Sequence, residues 1–144
     1  MTAIRDATAS DADDIYRLLS GFVTSYRPDR AVFDDATFPR IIEAASAGSA
    51  EFLVAEQNSC VVGYLLAVRM PTLFAGGTIL QLLELTVAEP LRGRGTGSAL
   101  IRAAQAKARM AKDVEVSVPT RRAAAFYRAL GFQESAVHLT WSTA

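Results

Sequence analysis

The sequence predicts an α/β (α+β) fold: one domain whose central sheet is covered by helices on both faces. Three observations predict it. Segments of helical period alternate with apolar, strand-like runs in the order βααββββαβαβ, or close to it, which makes six to seven strands and about four helices. The strand-like runs hold too many consecutive apolar residues for a half-exposed sheet, so both faces need cover. No repeat, low-complexity tract or linker rich in Gly, Ser or Pro divides the 144 residues, a length that suits one core. Residues 1–144 therefore read as a single domain.

Each element has a local reason. Residues 2–7 look like a short edge strand. Ser10 stands where a helix N-cap belongs, and Asp11, Asp13 and Asp14 set carboxylates against the positive end of the helix dipole. Ile15, Leu18, Leu19 and Phe22 recur at helical spacing and predict a helix over 11–22. Pro28 and the charges of 23–35 break it. A second helix fits 36–47, with Phe38, Ile41, Ile42 and Ala45 on one face and Gly48 as its stop. Strands at 52–55 and 61–68 are joined by a hairpin turn at Asn58-Ser59, and Gly76-Gly77 turns the chain into a strand over 79–87. A helix over 96–111 shows Gly97, Leu100, Ile101, Ala104 and Ala108 on one face. Residues 114–118 alternate as a strand. Thr120 can cap a helix holding Ala123, Phe126, Tyr127 and Leu130, which Gly131 closes. A last strand is expected over about 132–142.

Composition narrows the function classes. Fifteen basic and fifteen acidic residues cancel, so no global field draws in nucleic acid or an anionic membrane. No apolar stretch approaches the roughly 20 residues of a membrane span. A single cysteine, Cys60, forbids an intrachain disulfide and points to a reducing compartment, the cytoplasm. One histidine, His138, and no repeated Cys/His spacing leave no metal site to expect.

The chemistry starts where the strand over 79–87 ends. Pro90 forces a turn, and Arg92-Gly93-Arg94-Gly95-Thr96-Gly97 leads straight into an amphipathic helix. Alternate glycines let the backbone curl with its N–H groups inward and admit a ligand close to the main chain. The unpaired N–H groups and positive dipole of the helix start lie at the same place, and two arginines add forked, permanent charges. Such a loop suits a pyrophosphate; the plainer reading is a Gly-rich turn with solvated arginines. A P-loop would need a lysine after the loop, and none is there. The dinucleotide fingerprint G-x-G-x-x-G is nearly met, with Ser98 in the third place and Glu115 about 20 residues on. Only 47 residues follow the loop, however, too few for a doubly wound domain.

The run Glu84-Leu85-Thr86-Val87-Ala88-Glu89-Pro90-Leu91-Arg92-Gly93-Arg94-Gly95-Thr96-Gly97-Ser98-Ala99-Leu100 resembles the acyl-CoA loop of the GNAT family of N-acetyltransferases. Its R/Q-x-x-G-x-G/A motif falls on Arg92, Gly95 and Gly97. The segment Ala123-Ala124-Ala125-Phe126-Tyr127-Arg128-Ala129-Leu130-Gly131-Phe132 resembles the family's Y-x-x-x-G-F segment. The two together are more specific than either, and the likeness covers essentially the whole chain. It implies a GNAT-like domain with a central mixed, mostly antiparallel twisted sheet, and direct acyl transfer from acetyl-CoA to an amine in a ternary complex, with no metal.

The resemblance also implies roles. Main-chain donors at Arg94, Gly95, Thr96 and Gly97, flanked by Gly93 and Ser98, would hold the pyrophosphate together with the Arg92 side chain. Exposed backbone at Leu85 and Val87 would pair with the pantetheine amides, and the N–H near Val87 would face a developing oxyanion. Thr120 replaces an Asn that many members carry seven residues before the tyrosine, and so joins the expected cofactor contacts as a departure from the pattern. Tyr127 would protonate the departing thiolate, although its place beside Phe126 also fits core packing. Glu84, among leucines, would take the proton from the attacking amine; the plainer alternative is a structural ion pair. Phe22, Tyr26, Phe33, Asp34 and Asp35 are candidate lining for the acceptor, or an ordinary solvated loop and helix start. The acceptor would be a small-molecule or peptide amine, and a homodimer is common among such proteins. A catalytically silent acyl-CoA sensor and, behind it, a dinucleotide binder are the competing readings.

Overall fold

Unbroken runs of buried residues along the strands Ala50–Gln57 and Cys60–Thr72 build a sheet with two dry faces. The computed structural model describes residues 2–21, 26, 28–120 and 122–143. Strands β1 (Thr2–Asp6), β2 (Ala50–Gln57), β3 (Cys60–Thr72) and β4 (Gly77–Val87) pair antiparallel in that order, and β5 (Glu115–Ser117) returns parallel to β4. Asn58 and Ser59 both take positive φ, +53° and +63°, the primed turn that matches strand twist in a two-residue hairpin.

On β2, Leu53 and Ala55 face one side while Phe52 and Val54 face the other. The first side packs with Leu65, Ala67, Leu80 and Leu82 beneath Leu100, Ile101, Ala104 and Ala108 of helix α3 (Thr96–Ala111). The second packs with Tyr64 and Leu66 against Ile15 and Leu18 of α1 (Ala12–Leu19) and against Phe33 and Phe38. Each fully buried Leu, Ile or Phe contributes roughly 1.5–3 kcal/mol relative to exposure.

Several expectations need correction. The sheet has five strands among the described residues, not six or seven. Residues 132–143 carry no strand, although Val137, Leu139 and Trp141 alternate; these are 84%, 86% and 85% exposed. A period-two pattern makes a strand only where a partner offers a ladder, and β5 is three residues long. The first helix is capped by Thr8 rather than Ser10: Thr8 N–H donates to Asp11 Oδ2 at 2.8 Å in a capping box, and a short 3₁₀ turn (Ala9–Asp11) precedes α1.

The second helical run begins earlier than expected, because Asp29 accepts the Ala31 N–H at 2.7 Å. It comprises Arg30–Val32, a π-turn over Phe33–Thr37, and Phe38–Ser46, together α2. Pro39 has no N–H to give the preceding turn, and the widened register ahead of it, with Phe38 N–H on Phe33 O, accommodates that gap.

Two ion-pair clusters pin the sheet. Arg5 grips Asp11 through two bonds of 2.9 Å, which holds that buried carboxyl below its ordinary range. Arg69 reaches Asp113 (2.8 Å), Glu51 (3.0 Å) and Gly48 O (2.8 Å), tying the end of α3 to β2 and β3. No described helix is long and apolar enough to cross a membrane.

Candidate functional site

A bulge in β4 aims Glu84. The β3–β4 register pairs Leu66 with Glu84 and Ala67 with Leu82, so Leu83 is an extra residue. Leu82 lies in the core under α3, while Glu84 reaches Tyr64 of the opposite core, whose hydroxyl donates to Glu84 Oε1 at 2.6 Å. Without the bulge, period-two alternation would bury Glu84 beside Leu80 and Leu82. Glu84 instead faces the α1–α2 side.

Beyond the bulge, β4 loses its neighbour on one edge. The β4–β5 ladder ends at Gln81–Ser117, and Pro119 follows with no N–H to carry it further. Ala88 N–H donates to Val62 O at 2.8 Å, so alternation turns the backbone of Glu84 and Thr86 toward β3 and that of Leu85 and Val87 toward the open edge. The Arg92 side chain agrees: its Nε donates to Val87 O at 3.0 Å, across that edge.

The open edge runs into the glycine loop. A 3₁₀ turn (Glu89–Leu91) delivers Arg92, then Gly93 and Gly95 adopt φ of +78° and +87°, where a side chain would be strained. The first helical bond is Ala99 N–H to Gly95 O, 3.0 Å. Among the described residues, the N–H groups of Gly93, Arg94, Gly95, Thr96, Gly97 and Ser98 have no acceptor. A Cβ on Gly93 or Gly95 would meet nothing within 4 Å, so the space above the loop is open. Thr96 is buried; Arg92 and Arg94 are exposed.

Gly97 joins the loop to the last helix, α4 (Ala124–Ala129). A Cβ there would lie 3.5 Å from Phe126 Cζ and 4.0 Å from Leu85 Cδ2, so β4, α3 and α4 converge at this residue. Tyr127 packs edge-on to Phe126 (5.0 Å) and Phe132 (5.4 Å) on the α3 side of the sheet. Burial pushes its phenol above the ordinary value, so it stays protonated at neutral pH. No buried polar side-chain atom lacks a partner among the described residues, and the Tyr127 hydroxyl has none there; the oxygen therefore reaches open space. Tyr127 thus packs in the core while its hydroxyl oxygen stays accessible. Thr120 Oγ1 accepts the Ala123 N–H at 3.1 Å and so starts the helix turn.

Of the expected acceptor lining, Phe33 is buried against Tyr16 and Phe38, and Asp34 is held by Arg30 at 3.0 Å. Tyr26 and Asp35 are exposed, and Phe22 lies outside the described residues. The structure thus brings Leu85, Val87, the loop and Tyr127 to the α3 side of the sheet, with Glu84 on the other face. Sequence reasoning missed Tyr64. Its only signal was a hydroxyl in an apolar strand, and the register that brings it to Glu84 is not readable from spacing.

Comparison with known proteins follows this geometry. The chain superposes on a transcriptional regulator from Bacillus halodurans C-125 with a TM-score of 0.87 at 24% identity, covering 99% of each chain. It also superposes on glucosamine-6-phosphate N-acetyltransferase from Arabidopsis thaliana (TM-score 0.84, 16% identity, 100% of this chain and 99% of that one). A third is ribosomal-protein-alanine N-acetyltransferase from Brucella melitensis biovar Abortus 2308 (TM-score 0.71, 22% identity, 100% and 96%). At these identities the likeness is one of fold. No curated protein matches the chain in sequence. The family model for the acetyltransferase (GNAT) domain matches residues 48–134, which span β2 through α4 with the bulge, the open edge and the loop, and the chain belongs to that family of acetyltransferases, which use acetyl-CoA to acetylate amines.

Proposed function

We propose that this protein transfers an acetyl group from acetyl-CoA directly to an amine, with donor and acceptor bound together. The observation that carries the reading is a continuous run of backbone without a strand partner. The outward-facing edge at Leu85 and Val87, where among the described residues only the Arg92 side chain meets Val87 O, leads to six N–H donors from Gly93 to Ser98. An extended amide-bearing arm ending in a pyrophosphate matches that sequence of acceptors and donors. The open space over Gly93 and Gly95 fits the same group.

In this reading Arg94, Gly95, Thr96 and Gly97 hold the pyrophosphate through their N–H groups, with Gly93 and Ser98 at either end. Arg92 adds positive charge while closing the strand end. Leu85 and Val87 orient the arm, and the Val87 N–H lies where negative charge develops on the acyl oxygen. Bound acetyl-CoA supplies an activated thioester. Glu84 accepts the proton from the amine on the α1–α2 side, and Tyr127 donates its phenolic proton to the departing sulfur on the α3 side. Thr120 supports the site through the start of α4 and takes the place of an amide contact.

The acceptor is a small-molecule or peptide amine. Neighbours named for glucosamine-6-phosphate and for a ribosomal-protein alanine share the fold, so the fold favours neither class. One exposed thiol, Cys60, suits a reducing compartment such as the cytoplasm. Thiol release from acetyl-CoA across a panel of amines tests the reading. Acceptor-dependent release supports it; tight CoA binding with no release for any amine would favour a silent sensor.

A further inference from the structure

We propose that Tyr64 is a positioning residue for Glu84, holding one carboxylate oxygen so that the other meets the acceptor amine. The inference rests on Glu84 being the general base. Tyr64 comes from β3, directly opposite Thr86, and its diagonal neighbour on the same face is Glu84. The residue is only 2% exposed, and its ring is fixed edge-on to Phe52 at 6.1 Å, so the hydroxyl has little freedom. That hydroxyl donates to Glu84 Oε1 at 2.6 Å, a short, charge-assisted bond.

The direction of the bond is fixed. Burial, reinforced by the Glu84 charge, pushes the phenol far above its ordinary value, so Tyr64 keeps its proton and donates it to Glu84 Oε1 in a hydrogen bond. Oε1 is engaged and Oε2 remains for the substrate. The bulge at Leu83 makes the arrangement possible, because it turns Glu84 onto Tyr64's face. Bulge and tyrosine together set where the base points.

A double-mutant cycle on kcat tests this, with Tyr64→Phe, Glu84→Gln and the pair, each checked for folding by circular dichroism. Tyr64→Phe keeps the ring and should lower kcat about tenfold, the scale of a hydrogen bond to a charged group, with KM for acetyl-CoA within about twofold. In the Glu84→Gln background the same change should cost nothing further. Glu84→Asp, which draws the carboxylate back from the hydroxyl, should resemble Tyr64→Phe and be insensitive to adding it. Equal losses from Tyr64→Phe with and without the carboxylate would overturn the proposal, since that is the behaviour of a packing residue. No loss from Tyr64→Phe in the wild type would overturn it as well. If Glu84→Gln itself left kcat unchanged, the base reading would fail, and the positioning role with it.

Discussion

Leu82 and Glu84 stand two residues apart on one strand and face opposite sides of the sheet. One extra residue, Leu83, separates a core leucine from a carboxylate that meets a tyrosine hydroxyl. The same stretch of β4 loses its β5 neighbour, so a single strand offers an aimed acid on one face and bare backbone on its edge.

If Glu84 removes the amine proton, Glu84→Gln should lower kcat by about 10²–10⁴-fold, the span of general-base catalysis. The Michaelis constant for acetyl-CoA should hardly move, because in the proposed function the loop and strand edge, rather than Glu84, hold that partner. Steady-state kinetics with the best acceptor separate the two. A large rise in KM with kcat preserved would assign Glu84 to binding.

Tyr127→Phe should reduce kcat by at least about 10²-fold while leaving CoA affinity near wild type, as measured by titration calorimetry. The pH profile gives an independent check. Burial raises this phenol above its ordinary 10.0, so its acid form persists to higher pH and is lost only as pH climbs through the raised value. The alkaline fall in rate that belongs to Tyr127 should therefore lie above pH 10 and vanish in the phenylalanine variant.

The two loop glycines with positive φ, Gly93 and Gly95, should behave unlike Gly97. Gly95→Ala forces a side chain to φ of +87° and should cost about 1–2 kcal/mol in urea denaturation, with weaker CoA binding. Gly97→Ala adds a methyl group at ordinary contact distance from Phe126, so stability should change little. A large affinity loss in Gly97→Ala without a stability loss would then report on the ligand alone.

At the far end of the sheet, Arg69→Met strands the Asp113 side chain, which is 0% exposed, and should destabilise the fold by about 3–5 kcal/mol. The pH sign is fixed by the direction of the shift. Bonds from Arg69 and Thr78 outweigh burial and hold the Asp113 carboxyl below 3.8 in the folded protein. Its stabilisation is present above the unfolded value and lost as pH falls through the depressed one. Acid titration followed by circular dichroism should find this contribution in the wild type fading only below about pH 4 and missing from the variant.

The parts of this site that were legible in the sequence are those made by backbone chemistry. Glycines at 93, 95 and 97 announce their turn, and the amphipathic run after them announces α3. The bulge was hidden because an unbroken apolar run has no period to interrupt, and with it the partnership of Glu84 and Tyr64. Pro119 carried the clue to the strand splay, yet only the register shows which residues of β4 it leaves bare. The start of α2 was missed because Pro28 and the charges of 23–35 read as a break, whereas Asp29 caps a helical run that begins at Arg30. The final strand expected over about 132–142 is absent from the described residues; Val137, Leu139 and Trp141 do alternate there, but a pattern states a preference without supplying a partner.

Direct transfer is the central claim, and initial velocities with acetyl-CoA and the accepted amine both varied test it most directly. A ternary complex predicts reciprocal plots that intersect, with the acetylated amine and free CoA formed in equal amounts. Parallel plots, together with acetylated enzyme trapped in the absence of amine, would contradict it and require a nucleophile on the protein.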